Sequence, residues 1–161
     1  MRHWRITGAL AALAIVCAGK QYYRDATAGE LGWLIAPVAR MTGWVTGHHF
    51  GYVTDVGWVS RGAAFVIAPV CAGLNFALAA FLALAIVWLP AMRSAGAVVA
   101  RLAAAAGVAY LATLAVNTVR IALAVELHLG PTAHELLGIA VYLGGLCALV
   151  ALARRRHARA G

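Results

Sequence analysis

Apolar residues in this chain come in long runs, with one polar stretch between the first run and the rest. The first run covers Ile6 to Gly19 and follows Arg2 and Arg5. It fits a secretory signal peptide, with Val16-Cys17-Ala18 as a small-residue cleavage site. It fits equally an anchor completed by Lys20 to Tyr23, residues that snorkel or sit in an aromatic belt. We read residues 1–23 as a retained N-terminal membrane anchor. Residues 24–70 form the polar stretch, an extracytoplasmic or interfacial segment. In it Leu31, Leu34, Ile35, Val38, Met41 and Val45 recur at helical spacing beside Trp33 and Trp44. That pattern predicts a helix lying at the membrane interface or dipping into it, interrupted at Pro37. From 49 to 67, Gly51, Gly57 and Gly62 punctuate Phe50, Tyr52, Val53, Val56, Trp58, Val59, Phe65 and Val66. The imperfect alternation predicts a short hairpin outside the membrane.

Beyond residue 70 the runs reach spanning length, which is about 20 residues. One covers Ala72 to Leu89 and stops at Pro90. The next runs from about Ala95 to about Leu129, interrupted by Arg101, Asn117, Arg120, Glu126 and His128, and Pro131 ends it. It is too long for one perpendicular helix, and so is either a long helix emerging on the far side or a span plus an interfacial turn. The last covers Glu135 to Leu152, with Gly138, Gly144 and Gly145 permitting close helix packing. The expected architecture is an all-α polytopic membrane protein with about four transmembrane helices. Residues 71–153 form a three-helix catalytic core, and residues 154–161 a basic cytoplasmic tail.

Composition agrees. Of 161 residues, 64% are hydrophobic and 11% charged, against near a half and about a quarter in ordinary soluble domains. The net charge of +8 does not indicate nucleic-acid binding, because the arginines gather at segment ends, where orientation signals belong. With both termini cytoplasmic, Arg2, Arg5, Arg93, Arg154, Arg155, Arg156 and Arg159 lie inside. All five acids, Asp25, Glu30, Asp55, Glu126 and Glu135, then lie outside. Four spans in that sense place Cys71, Arg120 and His134 on one extracytoplasmic face.

Those three residues are the candidate chemistry. Pro69 suits the first turn of a helix, which puts Cys71 in the first turn of a span, where the helix dipole favours a thiolate. Asn75 would then lie one turn further along the same face. His134 heads the last span as a base able to titrate near neutral pH. Thr132 and Glu135 have capping-box spacing, which gives Glu135 a structural role. Arg120, inside TVRIALAV, needs a partner or a water-filled cavity, and Asn117 is placed to orient it. It can bind a carboxylate, steady a thiolate or donate to an oxyanion. Arg40, Arg61, His48, His49 and His128 read as solvated or interfacial. Cys17 and Cys147 lie within apolar runs and read as buried small hydrophobes. The three cysteines have no CxxC or CxH spacing, so neither a zinc site nor a disulfide framework is implied.

Cys71 in PVCAGLNF, Arg120 in NTVRIAL and His134 at the head of the following span together resemble the exosortase/archaeosortase family. The chain looks most like a short, K-type exosortase over roughly residues 30–150. The resemblance implies a membrane cysteine peptidase or transpeptidase of the bacterial inner membrane, with its active site facing the periplasm. Its partners would be exported proteins ending in a short motif, a hydrophobic span and a basic tail, and an acceptor molecule for transfer. It implies Cys71 as nucleophile, His134 as proton-transfer partner and Arg120 as transition-state stabiliser, with neither metal nor organic cofactor. The family often has Ser where this chain has Ala72, and most members are longer. The main rival is a non-enzymatic membrane subunit of a polysaccharide-export or protein-sorting assembly. A membrane thiol oxidoreductase would need a second reactive cysteine, and an intramembrane serine protease would need a GxSxG string that is absent.

Overall fold

The computed structural model describes residues 2–61 and 65–159; Gly62 of the expected hairpin and the last two residues of the basic tail lie outside them. Helices dominate: α1 (Arg2–Asp25), α2 (Gly32–Thr46), α3 (Leu74–Trp88), α4 (Ala95–Glu126) and α5 (Pro131–Arg159). Among the described residues, three helical stretches are long and apolar enough to cross a membrane: Pro69–Ala91, Ala95–Glu126 and Thr132–Arg155. α1 is outside that set, since Arg5 and Lys20 close in on its apolar run from either side.

The long third run is one unbroken helix. α4 has 32 residues and, at about 1.5 Å per residue, extends about 48 Å, well beyond the ~30 Å hydrocarbon core. It ends before Leu129. His128 takes a left-handed backbone (φ 48°), and the Leu129 and His128 N–H groups turn back to the carbonyls of Ala124 and Val125. That double return is a Schellman motif, with His128 where glycine is usual.

Internal contacts divide the chain into two compact units. One comprises Met1–Arg24, Asn75–Ala112 and Gly145–Gly161. There Arg5 Nη2 donates to the Pro90 carbonyl at 3.3 Å, and Gly8 and Gly19 let the Met92 and Leu78 side chains close against α1. Lys20 Nζ donates to Asn75 Oδ1 at 2.8 Å.

The other unit comprises Asp25–Leu74 and Thr113–Gly144. α2 is continuous through Pro37, where an interruption was expected. Its inner face buries Leu34, Ile35, Val38, Ala39 and Thr42, while Trp33 and Trp44 face outward. Val45, expected on the apolar face, is 71% exposed. A capping box precedes α2: the Thr27 N–H and hydroxyl both donate to Glu30 Oε2 at 2.8 Å, and the Glu30 N–H returns to Thr27 Oγ1 at 3.3 Å. These donors hold the Glu30 carboxyl below its usual range. Their stabilisation is therefore present at neutral pH and lost as pH falls through that lowered value.

The expected hairpin forms and gains a third strand, the exception to an otherwise helical chain. β1 (Phe50–Val53), β2 (Gly57–Ser60) and β3 (Val66–Ile67) pair antiparallel in that order, with Tyr52 opposite Trp58 and Trp58 opposite Ile67. Asp55 (φ 63°) turns the β1–β2 corner. Gly57 is required twice over. Its φ of 119° is one that side chains rarely adopt, and a Cβ there would stand 2.7 Å from the Ile67 carbonyl oxygen. Gly57→Ala is accordingly expected to destabilise the fold by about 1–3 kcal/mol. Thermal unfolding of the detergent-solubilised protein measures this, with Gly51→Ala, a position with open space around it, expected to leave the midpoint unchanged.

Candidate active site

The segment carrying Cys71 is shaped by proline and glycine. Pro69 starts a 3₁₀ turn (Pro69–Cys71) in which the Cys71 and Ala72 N–H groups bond the carbonyls of Ala68 and Pro69. Gly73, at φ 78°, then breaks the path before α3 begins at Leu74. Cys71 thus precedes α3 rather than occupying its first turn, because the left-handed residue between them prevents one continuous helix. Asn75, expected one turn along the same face, lies beyond that break, is exposed and accepts from Lys20. Cys71 is buried at 7% exposure, while Cys17 and Cys147, expected as buried small hydrophobes, lie on the protein surface, Cys147 within the apolar stretch Thr132–Arg155.

Gly73 also admits the next layer. A Cβ there would lie 3.1 Å from the Asn117 amide and from the Tyr142 hydroxyl. Asn117 is fully buried on α4, and its Nδ2 donates to the Cys71 carbonyl at 2.8 Å. Its Oδ1 accepts from the Tyr142 hydroxyl at 2.7 Å. The amide orientation is forced, since a backbone carbonyl only accepts.

Arg120, one turn beyond Asn117 on α4, reaches two α5 residues. Nη1 donates to the Tyr142 hydroxyl at 3.2 Å, and Nη2 lies 3.0 Å from His134 Nε2. A guanidinium cannot accept, so His134 Nε2 is the acceptor, and the imidazole is neutral with its proton on Nδ1. The guanidinium carbon also stands 5.2 Å from the centre of the Tyr142 ring. Gly138, between His134 and Tyr142 on α5, makes the room: a Cβ there would fall 2.8 Å from Arg120 Nε. Arg120 is 9% exposed, its Nε has no hydrogen-bond partner, and no carboxylate lies within ion-pair distance of it among the described residues.

His134 is set by the start of α5. Pro131 is the first helical residue, and the His134 N–H bonds the Gly130 carbonyl at 2.9 Å. The capping box expected between Thr132 and Glu135 does not form, because the helix already starts ahead of Thr132. The Phe65 ring meets the imidazole edge-on at 6.0 Å.

The structure therefore brings Arg120 and His134 into direct contact and ties both, through Tyr142 and Asn117, to the backbone of Cys71. The Cys71 thiol itself hydrogen-bonds neither of them. Asn117 joins the cluster by holding the backbone of Cys71 rather than by touching Arg120. Tyr142, Gly138 and Phe65 were not singled out from the sequence as site residues. The signal for Tyr142 was present: a tyrosine inside the apolar GIAVYLGG needs a partner for its hydroxyl. His48 lies 3.9 Å from Glu126, His128 closes the α4 terminus, and Arg40, Arg61 and His49 are exposed. No group of three or more His, Cys, Asp or Glu among the described residues is arranged to hold a metal. Compared with protein-family models, curated proteins and solved structures, the chain shows no significant match.

This arrangement offers a buried cation with one unpartnered N–H, a neutral imidazole with its proton on Nδ1, and a thiol on a 3₁₀ turn closed by Gly73. Oxyanion binding, proton transfer and nucleophilic attack are the three capacities acyl transfer requires. Gly138→Ala is expected to push the guanidinium off at least one of its two hydrogen bonds. The loss is about 1–3 kcal/mol of stability, the cost of leaving a buried donor unmatched. Thermal unfolding in detergent reads the change, and Gly144→Ala, with open space around it, is the neutral comparison.

Proposed function

We propose that this chain is an exosortase-like cysteine peptidase or transpeptidase that cleaves the C-terminal sorting tail of exported proteins. Its setting is the bacterial inner membrane, crossed four times with α1 as the first span, and its active site faces the periplasm. One observation carries the reading: among the described residues the buried Arg120 guanidinium has no carboxylate within ion-pair distance, retains an unpartnered Nε–H, and hydrogen-bonds His134 directly. A cation left so is a functional candidate by default, because burying it without a counter-charge is costly.

In the reaction, the Cys71 thiol gives its proton to the imidazole and the sulfur adds to the peptide carbonyl. Nε2 becomes available for that proton as Arg120 turns its Nη2–H from His134 to the developing oxyanion. Collapse expels the tail's amine, which takes the proton from His134 and leaves a thioacyl-enzyme. Water resolves it to a free carboxylate, or an amine or glycan acceptor takes the acyl group. One observation favours the rival reading of a non-enzymatic subunit: the Cys71 thiol is not hydrogen-bonded to His134.

Tail cleavage decides between the two readings. Cys71→Ala is expected to abolish processing of a co-expressed exported protein bearing a motif, an apolar span and a basic tail, since no thioacyl bond can form. His134→Ala is expected to slow it by about 100- to 10,000-fold. Arg120→Lys, which keeps the charge but loses the planar fork, is expected to be nearly as damaging as Arg120→Ala. Immunoblots of membrane fractions establish equal insertion. Cleavage retained by an inserted Cys71→Ala variant would establish the non-enzymatic subunit instead. Orientation has its own measurement: reporters fused near Arg93 and at Gly161 are expected in the cytoplasm and one near Asp55 in the periplasm. A cytoplasmic Asp55 removes the periplasmic site.

A further inference from the structure

Four hydrogen bonds in this site share one root. Arg120 Nη2 donates to His134 Nε2, while Arg120 Nη1 donates to the Tyr142 hydroxyl. The hydroxyl donates onward to Asn117 Oδ1, and Asn117 Nδ2 to the Cys71 carbonyl. The direction of every donor is fixed at both ends. A guanidinium can only donate and a backbone carbonyl can only accept, so the protons between them must all point from Arg120 toward Cys71. Such chains polarise and strengthen one another in a low-dielectric interior. The members are held without slack. Asn117 is fully buried, and Gly73 and Gly138 leave room for the amide and the guanidinium with no side chain of their own.

From this geometry we infer that Tyr142 is a positioning residue for the nucleophile: its hydroxyl transmits the charge of Arg120 to the Cys71 peptide and sets the thiol in register with the Arg120–His134 pair. The oxygen matters here, and the ring alone does not suffice. Without the hydroxyl, Arg120 Nη1 and Asn117 Oδ1 lose their common partner, and the Asn117 amide loses the contact that orients it. The branch to His134 stays in place, so the effect falls on Cys71. The inference rests on Cys71 being the reacting thiol of the proposed function, but its measurement needs no substrate.

The test is the alkylation rate of Cys71 by iodoacetamide, a reagent small enough for a buried thiol. It is followed against pH in the full-length, membrane-embedded protein carrying Cys17→Ala and Cys147→Ala. Tyr142→Phe keeps the ring and is expected to slow alkylation near neutral pH about fivefold, on the scale of the Tyr142–Asn117 hydrogen bond that orients the amide toward Cys71. In an Arg120→Lys background the two losses are expected to be less than additive, because Arg120 acts on Cys71 through the same Tyr142–Asn117 link. Where Tyr142→Phe fails to accumulate, 3-fluorotyrosine at position 142 keeps ring and hydroxyl while making the phenol a stronger donor. It is expected to displace the pH profile of alkylation. A rate unchanged by Tyr142→Phe, additive losses in the double variant, or a fluorotyrosine profile that superimposes on wild type would each overturn the inference. A coupled alkylation response without tail cleavage in the wild-type protein would leave this inference standing and remove the peptidase.

Discussion

Everything at the candidate site follows from placing one guanidinium in a membrane helix without a carboxylate to neutralise it. Arg120 cannot give up its proton, so its charge has to be met by acceptors, by an aromatic face or by a ligand. Two acceptors come from α5, the Tyr142 hydroxyl and His134 Nε2, and the Tyr142 ring lies nearby. All three are neutral. The positive potential is distributed but not cancelled. A carboxylate partner would have made Arg120 a structural ion pair and cancelled that potential.

Meeting the charge this way demands close backbone approach, and small residues supply it. Gly138 lets the guanidinium lie against α5, where even a methyl group would collide with Nε. Gly73 lets the Asn117 amide and the Tyr142 hydroxyl reach the turn that holds Cys71, and its left-handed backbone ends that turn. Pro69 stiffens the turn from the other side. Cys71 thus sits on a short turn fixed from both sides rather than on a regular helix. The helix start expected at Cys71 is replaced by a turn whose carbonyl is held by one hydrogen bond from α4.

The rest of the unit that holds the site is built with similar local economy. The Thr27–Glu30 box starts the chain into α2, whose inner face of Leu34, Ile35 and Val38 is sealed. The sheet closes on Gly57, and the chain emerging from β2 reaches Phe65, whose ring borders His134. A polar stretch of low hydropathy therefore contributes an aromatic wall to the site.

How much of this was legible beforehand depended on the range of the interaction. Segment lengths, the helical class, the hairpin and the need of Arg120 for partners could be read from the chain. They rest on local rules: apolar run length, glycine and proline punctuation, and the cost of an arginine in an apolar run. Features set by neighbours distant in sequence could not. Pro37 was read as an interruption, yet α2 passes through it because packing of its buried face outweighs local propensity. Thr132–Glu135 and Thr27–Glu30 share the spacing of a capping box, and which copy forms depends on where each helix starts. Asn75 was placed beside Cys71 on the assumption of one helix, which the φ of Gly73 forbids. Tyr142 and Gly138 acquired their roles only when α5 came to lie against Arg120. The sequence by itself determined which groups had to find partners, because burial cost belongs to each residue. Only the tertiary structure decided which partners they found, because hydrogen bonds depend on distances between helices that no local pattern encodes.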